Sequence, residues 1–598
     1  MENPLLIYDG YCRFCRSWVR YWQRLVGAAV QFEPYQKAAA RITDISTEQF
    51  AQSIWFIGTD GQKYQGAAAS FQVLRYAQGK SHWWWLYQHF PGFAWLSQCI
   101  YRFVANHRRF AYWGQRQLWG ARLYPEHYHK TSWLFLRALA VLLFFAFASF
   151  YSQALGLIGK SGLLPLQDYL ILLKDNNLGF SEAPMLFWWD ASDWAIEAVS
   201  LVGMLASLLL LFNLLPLVCL IVCYFCYLSL VHGGQVFMQF QWDLLLLEVT
   251  VAAMLLSKGY HAGIWLMRLL LFRFVFLSGV VKVTSGDVSW ASLSALFYYF
   301  ETQPLPTPLA WYAHQLPDWT LQALTLMVLF IELVLVWLIW LPRRPRQLAA
   351  IGIVALQFGI LLTGNFGFFN LLTLALCLFL FDDRALHHLV PPFINHDLLP
   401  ERRWLTWLRC AGVSVLMVLG LTYLYQGLHL QPPGPAISAL IRHIQPFALV
   451  NPYGVFAVMT TTRNEIVLEG SHDGETWIAY DFTYKPDTAT QQPSWNIPHQ
   501  PRLDWQLWFA ALDKDNPPPW FRNLLIRLLF NHPQALSLIK TNPFADEAPT
   551  QLRARLVNYR YTSWDEKEKT GKWWNTEEVG IYYPAVQFKV SATPIAPE

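Results

Sequence analysis

The chain has 598 residues, 55% of them hydrophobic, 17% aromatic and only 14% charged, with a formal net charge of +4. It is too long for one domain and too apolar for a soluble average, and the apolar excess sits in the middle, so a membrane protein with soluble ends is expected. So small a net charge, with basic residues in short clusters near the ends of apolar runs, gives no case for nucleic acid as a partner.

Met1-Glu2-Asn3-Pro4 lacks a basic start and Leu5-Leu6-Ile7-Tyr8 is too short for the apolar core of a signal peptide, so the N-terminus is expected to stay in the cytoplasm. Residues 4 to 9 read as a short buried strand. Gly10-Tyr11 turn the chain, and Cys12-Arg13-Phe14-Cys15 opens an amphipathic helix running to about Leu25. Strand, tight turn and CxxC at a helix start together suggest a thioredoxin-like fold. The free amides and positive dipole end of such a helix favour a thiolate at Cys12, with Arg13, Arg16 and Arg20 expected to add positive potential. Cys15, one turn on, is placed to resolve a mixed disulfide. No second close cysteine pair accompanies it in this part, which disfavours zinc.

The segment YDGYCRFC resembles the DCC family of thiol-disulfide oxidoreductases. The likeness continues through Ile54-Trp55-Phe56-Ile57, Asp60-Gly61 and Gly66-Ala67-Ala68-Ala69 to Tyr101-Arg102 and His107-Arg108-Arg109. It implies Asp9, Cys12 and Cys15 as the catalytic set; a working redox site and a retained fold without turnover both fit. Between Ser81 and Tyr128, aromatics and arginines at helical spacing suggest helices that close this domain and lie along a membrane surface, or an ordinary helical core and linker.

From Lys130, nine candidate spans follow at roughly 133–155, 195–213, 215–232, 238–257, 263–283, 319–341, 347–363, 366–381 and 404–426. With the N-terminus inside, Arg343-Arg344-Pro345-Arg346 and Arg402-Arg403 fall inside too, which satisfies the positive-inside rule and puts the C-terminal region outside. The loop Gly156 to Trp194 should pack on the outer face. Cys219, Cys223 and Cys226 share one helix face, either as apolar packing or as a thiol relay.

Phe237 to Pro308 is the stretch around which the rest is organised. Asp243 and Glu248 lie in its first apolar run and Arg268, Arg273 and Lys282 in its second, separated by a polar hinge at Lys258 to His261. An unpaired charge there costs at least about 2.5–3.5 kcal/mol, so opposite signs on neighbouring helices invite pairing. Either they lock the spans together or they form a polar pocket for a substrate or client. The segment Glu301-Thr302-Gln303-Pro304-Leu305-Pro306 should be a stiff loop at the membrane surface, since proline fixes the backbone and forbids helix continuation. Glu332 stands alone in its span, and Gly364-Asn365-Phe366-Gly367-Phe368-Phe369-Asn370 breaks the spans near the membrane surface, either as a simple turn between them or as irregular backbone beside protein or water.

FQWDLLLLE from Phe240, FLSGVVK from Phe276, the SGD of Ser285 to Asp287 and the string Phe300 to Pro317 resemble the lipase maturation factor family of polytopic membrane proteins. The resemblance runs from about Lys130 to about Val586, includes GLIGKSGLLPLQDYL, and implies assistance to the folding of secreted lipases, with Glu301, Thr302, Gln303, Pro304 and Pro306 as its motif loop. The DCC front end departs from that pattern, and the lack of a targeting signal suggests a bacterial inner membrane.

Prolines at 432, 433 and 435 mark a linker, after which strand-like alternation with turns at Arg463-Asn464 and Asp473-Gly474 indicates a β-rich or mixed domain. Trp495, His499, Arg502, Asp504 and Trp505 make either a client surface or a packed loop. No GxSxG, Walker loop, HExxH or dinucleotide signature occurs, so no cofactor is expected; His387, His388 and His396 near Asp382, Asp383 and Asp397 read as a solvated loop rather than a metal site.

The expected architecture is a mainly α-helical polytopic membrane protein with a thioredoxin-like α/β domain at 1–125, a transmembrane domain at 130–427 and an extracytoplasmic β-rich domain at 436–598. Its expected partners are the lipid bilayer, a secreted client such as a lipase, and a cytoplasmic thiol reductant. Its expected work is maturation of secreted proteins coupled to CxxC exchange; the alternatives are a membrane-bound thiol-disulfide oxidoreductase proper, or an enzyme using Asp243, Glu248, Arg268 and Arg273.

Overall fold

The computed structural model describes residues 3–77, 79–256, 262–391, 403–429 and 434–587. The chain divides into two compact units, Met1–His127 with Trp340–Leu348, and Tyr128–Ile339 with Ala349–Glu598.

The first unit is built on strands β1 (Leu5–Tyr8), β2 (Gln31–Pro34), β3 (Trp55–Ile57) and β4 (Lys63–Gln65), in the sheet order β2-β1-β3-β4. β1 runs parallel to β2, because the helix Arg13–Val26 carries the chain back, and antiparallel to β3, which forms a hairpin with β4. Leu6 packs with Val19, Trp22, Phe56 and Val73 on one face, while Leu5 and Ile7 pack with Phe50 and Ile57 on the other. Burial on both faces explains why β1 reads as an unbroken apolar run. This is the thioredoxin-like arrangement, and it puts Cys12 at the carboxyl end of the central strand.

Seven of the described helices are long and apolar enough to cross a membrane: His129–Tyr151, Asp193–Leu211, Pro216–Gly233, Ala262–Thr284, Asp318–Trp340, Arg343–Thr363 and Trp404–Leu428. Ala262–Thr284 is the most enclosed, with 89% of its apolar window buried, and Trp404–Leu428 the least, with 22%. The runs at 238–257 and 366–381 yield shorter helices, Gln241–Met254 of 14 residues and Phe369–Leu380. At 1.5 Å per residue, 14 residues span about 21 Å, less than a bilayer core of about 30 Å. At the start of each run the chain lies outside the helix and meets the C-terminal region, Phe240 against Trp505, Asn365 bonded to Ser494 and Phe366 against Trp505. The hinge Lys258 to His261 lies outside the described residues, as do Arg402, Pro432 and Pro433.

In the second unit a four-stranded antiparallel sheet, β6-β5-β7-β8, comprises β5 (Arg463–Ser471), β6 (Ile478–Ala479), β7 (Gln551–Tyr561) and β8 (Trp574–Gln587). The helices Arg502–Leu512 and Pro519–Leu529 complete this mixed region. Arg463-Asn464 is no turn; it begins β5, pinned by pairing with Tyr559 and Asn558. Asp473-Gly474 does turn, with the Asp473 carboxylate accepting from the amides of Glu475 and Thr476. The C-terminal region bonds to one end of the helix bundle, at Ser149, Gln153, Asp243, Asp287, Gln303 and Asn365. The other end is tied by Asp383, whose carboxylate accepts from the amides of His129 and Thr131, and by Arg268, which donates to the Phe379 carbonyl.

Candidate functional site

Cys12 is the N-cap of Arg13–Val26, and its sulfur accepts from the Cys15 amide at 3.2 Å. The Cys15 sulfur lies 2.6 Å from it. Cys12 is pushed down from 9.0 to about 6, first by the hydrogen bond from the Cys15 thiol, then by the Cys15 amide and the Arg108 charge, against partial burial and the charge of Asp9. Cys15 is pushed the other way, because its thiol donates to Cys12 and is more enclosed. One thiolate nucleophile beside one protonated thiol is the division of labour that thiol-disulfide exchange requires.

Arg13, Arg16 and Arg20 are exposed to solvent, and the cation that acts most on Cys12 is Arg108. Its guanidinium donates to the Asp9 carboxylate at 2.9 Å and to the Ala51 and Gln52 carbonyls at 2.6 and 3.0 Å. Asp9 also accepts from the Tyr11 amide at 2.9 Å and from Gln36 at 3.2 Å, so it shapes the loop that presents Cys12. Tyr101, whose hydroxyl accepts from the Ile54 amide and is pushed up to about 12 chiefly by burial, lies close enough to feel the Cys15 charge. A pairing 99 positions long leaves no local sequence pattern; only the likeness ending at His107-Arg108-Arg109 marked the residue.

The charges of the membrane region bond one another and the C-terminal region. Asp243, fully buried, accepts two bonds from the Arg502 guanidinium at 2.7 and 2.8 Å and a third from the Tyr227 hydroxyl at 2.6 Å. Glu248 accepts from Arg273 at 2.8 Å, from the Tyr453 hydroxyl at 2.6 Å and from the Asn451 amide at 2.9 Å, while Arg273 donates to the Asn451 carbonyl. Arg268 donates to the Tyr128 hydroxyl at 2.6 Å. Glu332 pairs with Lys282 at 2.8 Å. The Glu248–Arg273 and Lys282–Glu332 pairs each join two helices of the membrane region, whereas Asp243 reaches across 259 positions.

The motif loop is a seat. Arg463 donates to the carbonyls of Glu301, Gln303 and Pro304, and the Glu301 carboxylate accepts from the Tyr561 amide at 2.6 Å. Thr302 ends the helix Ala295–Thr302 and offers its carbonyl to Trp508, and Pro306 bridges to Gly364. The loop, expected at the membrane surface, is instead buried under the C-terminal region from Thr302 to Thr307. Asn365 serves the same contact, donating to the Leu305 and Ser494 carbonyls and accepting from the Asn496 amide.

Of the suggested client patch, Arg502, Asp504 and Trp505 are buried and Trp495 alone is exposed, so the patch is a packed loop. Burial, aided by the Arg502 charge, pushes His499 down to about 4, and burial pushes Asp504 up to about 6. These shifts act on stability with opposite signs. His499 binds fewer protons folded than unfolded between pH 4 and 6.5, so stability rises with pH there. Asp504 binds more protons folded than unfolded between pH 3.8 and 6, so stability falls with rising pH. The slopes oppose each other, and His499→Gln is expected to unmask the second: the thermal midpoint should then fall from pH 4 to 6, and an unchanged profile would refute the assignment.

Cys219, Cys223 and Cys226 are all buried, the Cys223 thiol donating to the Gly203 carbonyl and the Cys219 thiol to that of Leu214. Among the described residues no group of three or more His, Cys, Asp or Glu could hold a metal, and His396 and Asp397 lie outside them.

Fold and site together define a multi-pass membrane protein whose N-terminal unit is a thiol-disulfide exchange module. Residues 6–113 match the DCC1-like thiol-disulfide oxidoreductase family, 130–388 the lipase maturation factor transmembrane domain and 449–584 the lipase maturation factor C-terminal domain. Among relatives, lipase maturation factor 2 of Xenopus laevis is 33% identical over 76% of this chain and 82% of its own length. Human lipase maturation factor 2 is 32% identical over 76% and 82%, and mouse lipase maturation factor 1 is 30% identical over 78% and 89%. The chain belongs to the lipase maturation factor family, with a thiol-disulfide module joined to the family's membrane and C-terminal domains. No solved structure matches it.

Proposed function

We propose that the chain assists the maturation of secreted proteins, lipases among them, in a bacterial inner membrane, with Cys12 and Cys15 exchanging disulfides on the cytoplasmic side and the C-terminal region outside. The observation that carries the redox half is the Cys12 thiolate at a helix N-cap, hydrogen-bonded by Cys15 and held by the Asp9–Arg108 loop. Family membership carries the maturation half. The sidedness is supported by the clustered arginines at 343, 344 and 346, and by the C-terminal region bonding to the bundle end far from Tyr128.

In the exchange, the Cys12 thiolate attacks a disulfide sulfur of the partner and forms a mixed disulfide, releasing the partner's other sulfur as thiolate. Cys15 then loses its proton and attacks the Cys12 sulfur, leaving a Cys12–Cys15 disulfide and a fully reduced partner. A cytoplasmic dithiol reductant restores the pair and is itself oxidised. Asp243, Glu248, Arg268 and Arg273 fit a structural role better than a catalytic one, because their hydrogen bonds go to one another and to fixed protein groups.

The test is a trap. In cells co-expressing a secreted lipase, Cys15→Ser should accumulate a covalent adduct at Cys12 with a cytoplasmic thiol protein, and deletion of the chain should lower active secreted lipase. Adducts confined to secreted hydrolases would reverse the sidedness. Unchanged lipase yield on deletion would remove the client class.

A further inference from the structure

The helices Pro91–Asn106 and Arg108–Leu118 carry an apolar stripe that the described residues leave uncovered. Leu96, Ile100, Phe103, Phe110 and Trp113 recur at helical spacing and are all exposed, Phe103 at 55%, Phe110 at 60% and Trp113 at 57%. No residue of Pro91–Asn106 is fully buried. The other side of these helices already does the packing: Gln98 accepts from the Ala67 amide, Tyr101 from the Ile54 amide, Arg108 reaches Asp9 and Gln115 donates to Ser17. The stripe is therefore a second face, additional to the one that holds the unit together. Beside it Arg102, Arg109 and Arg116 follow at intervals of seven, all exposed. From Gly61 to Pro125 the chain has eight Lys and Arg (63, 75, 80, 102, 108, 109, 116, 122) and no Asp or Glu.

We propose that this face docks on an anionic lipid leaflet, with the aromatic stripe in the headgroup boundary and the three arginines on lipid phosphates. Apolar residues flanked by arginine, on helices of 16 and 11 residues that are too short to span a bilayer, are the chemistry of a helix lying in the plane of an interface. Arginine lays its stem along apolar surface while its head reaches charge. The unbroken lack of acid over Gly61 to Pro125 leaves nothing to repel an anionic surface, and the chain enters its first membrane helix at His129, so lipid is within a short tether. A second copy fits worse, because symmetric pairing of this face would set the same arginines against each other. The junction between the helices also supplies Arg108 inward to Asp9 while Phe103 and Phe110 point outward, so docking fixes the thiol loop relative to the lipid surface.

Cys99, exposed beside Ile100, provides the probe. The full chain with Cys12→Ser, Cys15→Ser and Cys410→Ser is labelled at Cys99 with an environment-sensitive dye and placed in nanodiscs of phosphatidylcholine, with or without phosphatidylglycerol. Spin-labelled lipid should quench the dye strongly when phosphatidylglycerol is present, and less without it or at high salt. Arg102→Gln with Arg109→Gln should lower the docked-to-free ratio about five-fold per arginine, and Phe103→Glu should abolish quenching. Equal exposure to aqueous iodide in both lipids would overturn the proposal, and so would a Cys99–Cys99 cross-link between copies or shielding by bound protein that is independent of lipid. The lipid comparison uses a single protein, so loss of folding in a variant cannot mimic its result.

Discussion

Cys12 is expected to alkylate with a midpoint near pH 6, and Cys12→Ser to abolish exchange altogether. At pH 7 a thiol of pKa about 6 is roughly nine-tenths thiolate, whereas an unperturbed one is only a few per cent. The causes predict an order among variants. Cys15→Ala removes the largest one, the thiol hydrogen bond, and should raise the midpoint further than Arg108→Met, which removes only a neighbouring charge. The same shift acts on stability of the reduced form: its pKa is depressed on folding, so the contribution is complete above about pH 9 and is lost as pH falls through about 6. Thermal midpoints of reduced wild type and Cys12→Ser should therefore converge below pH 6. Iodoacetamide rates against pH decide the matter; a midpoint near 9 would show that the Cys15 and Arg108 contacts do not act on this sulfur.

What the sequence revealed and what it hid divide along range. The thiol helix was legible because strand, turn, cap and CxxC fit within 26 residues and every signal is local. The seven long helices were legible because lipid demands continuous apolar runs. Gln241–Met254 and Phe369–Leu380 were overextended, since hydropathy cannot register that Phe240 and Asn365 leave the helix to bond a partner more than a hundred positions away. The same limit hid the partners of Arg463, Arg502 and Asn451. Each is an ordinary polar residue in its own neighbourhood, and its value comes from the carboxylate or carbonyl it meets. Asp243 was visible as a charge in an apolar run, but its partner was not on the adjacent helix. The patch around Arg502 looked like a surface because charge and aromatics usually are one; burial followed from pairing, which composition does not encode.

Removing either partner of the Asp243–Arg502 pair should unseat the C-terminal region. Both side chains are almost fully enclosed, the contact is bidentate, and Tyr227 completes the carboxylate. Asp243→Asn leaves a guanidinium buried without its counter-charge, which costs about 3–5 kcal/mol, enough to consume much of a typical domain's stability. Tyr227→Phe leaves the pair intact and removes one charge-assisted bond, for about 1.5–3 kcal/mol. The double variant Asp243→Leu with Arg502→Met removes both charges and should recover much of the loss, because an apolar pair of similar volume no longer needs solvation. Limited proteolysis of the region after Gly434 in detergent-solubilised protein reads this directly: fast cleavage in Asp243→Asn, wild-type resistance in the double variant. The reading in which Asp243 is a membrane catalyst predicts the reverse pattern, with Asn at 243 folded but inactive and the double variant inactive as well. Resistance to protease that survives Asp243→Asn, together with lost maturation activity, would move Asp243 from the seat of the C-terminal region into chemistry.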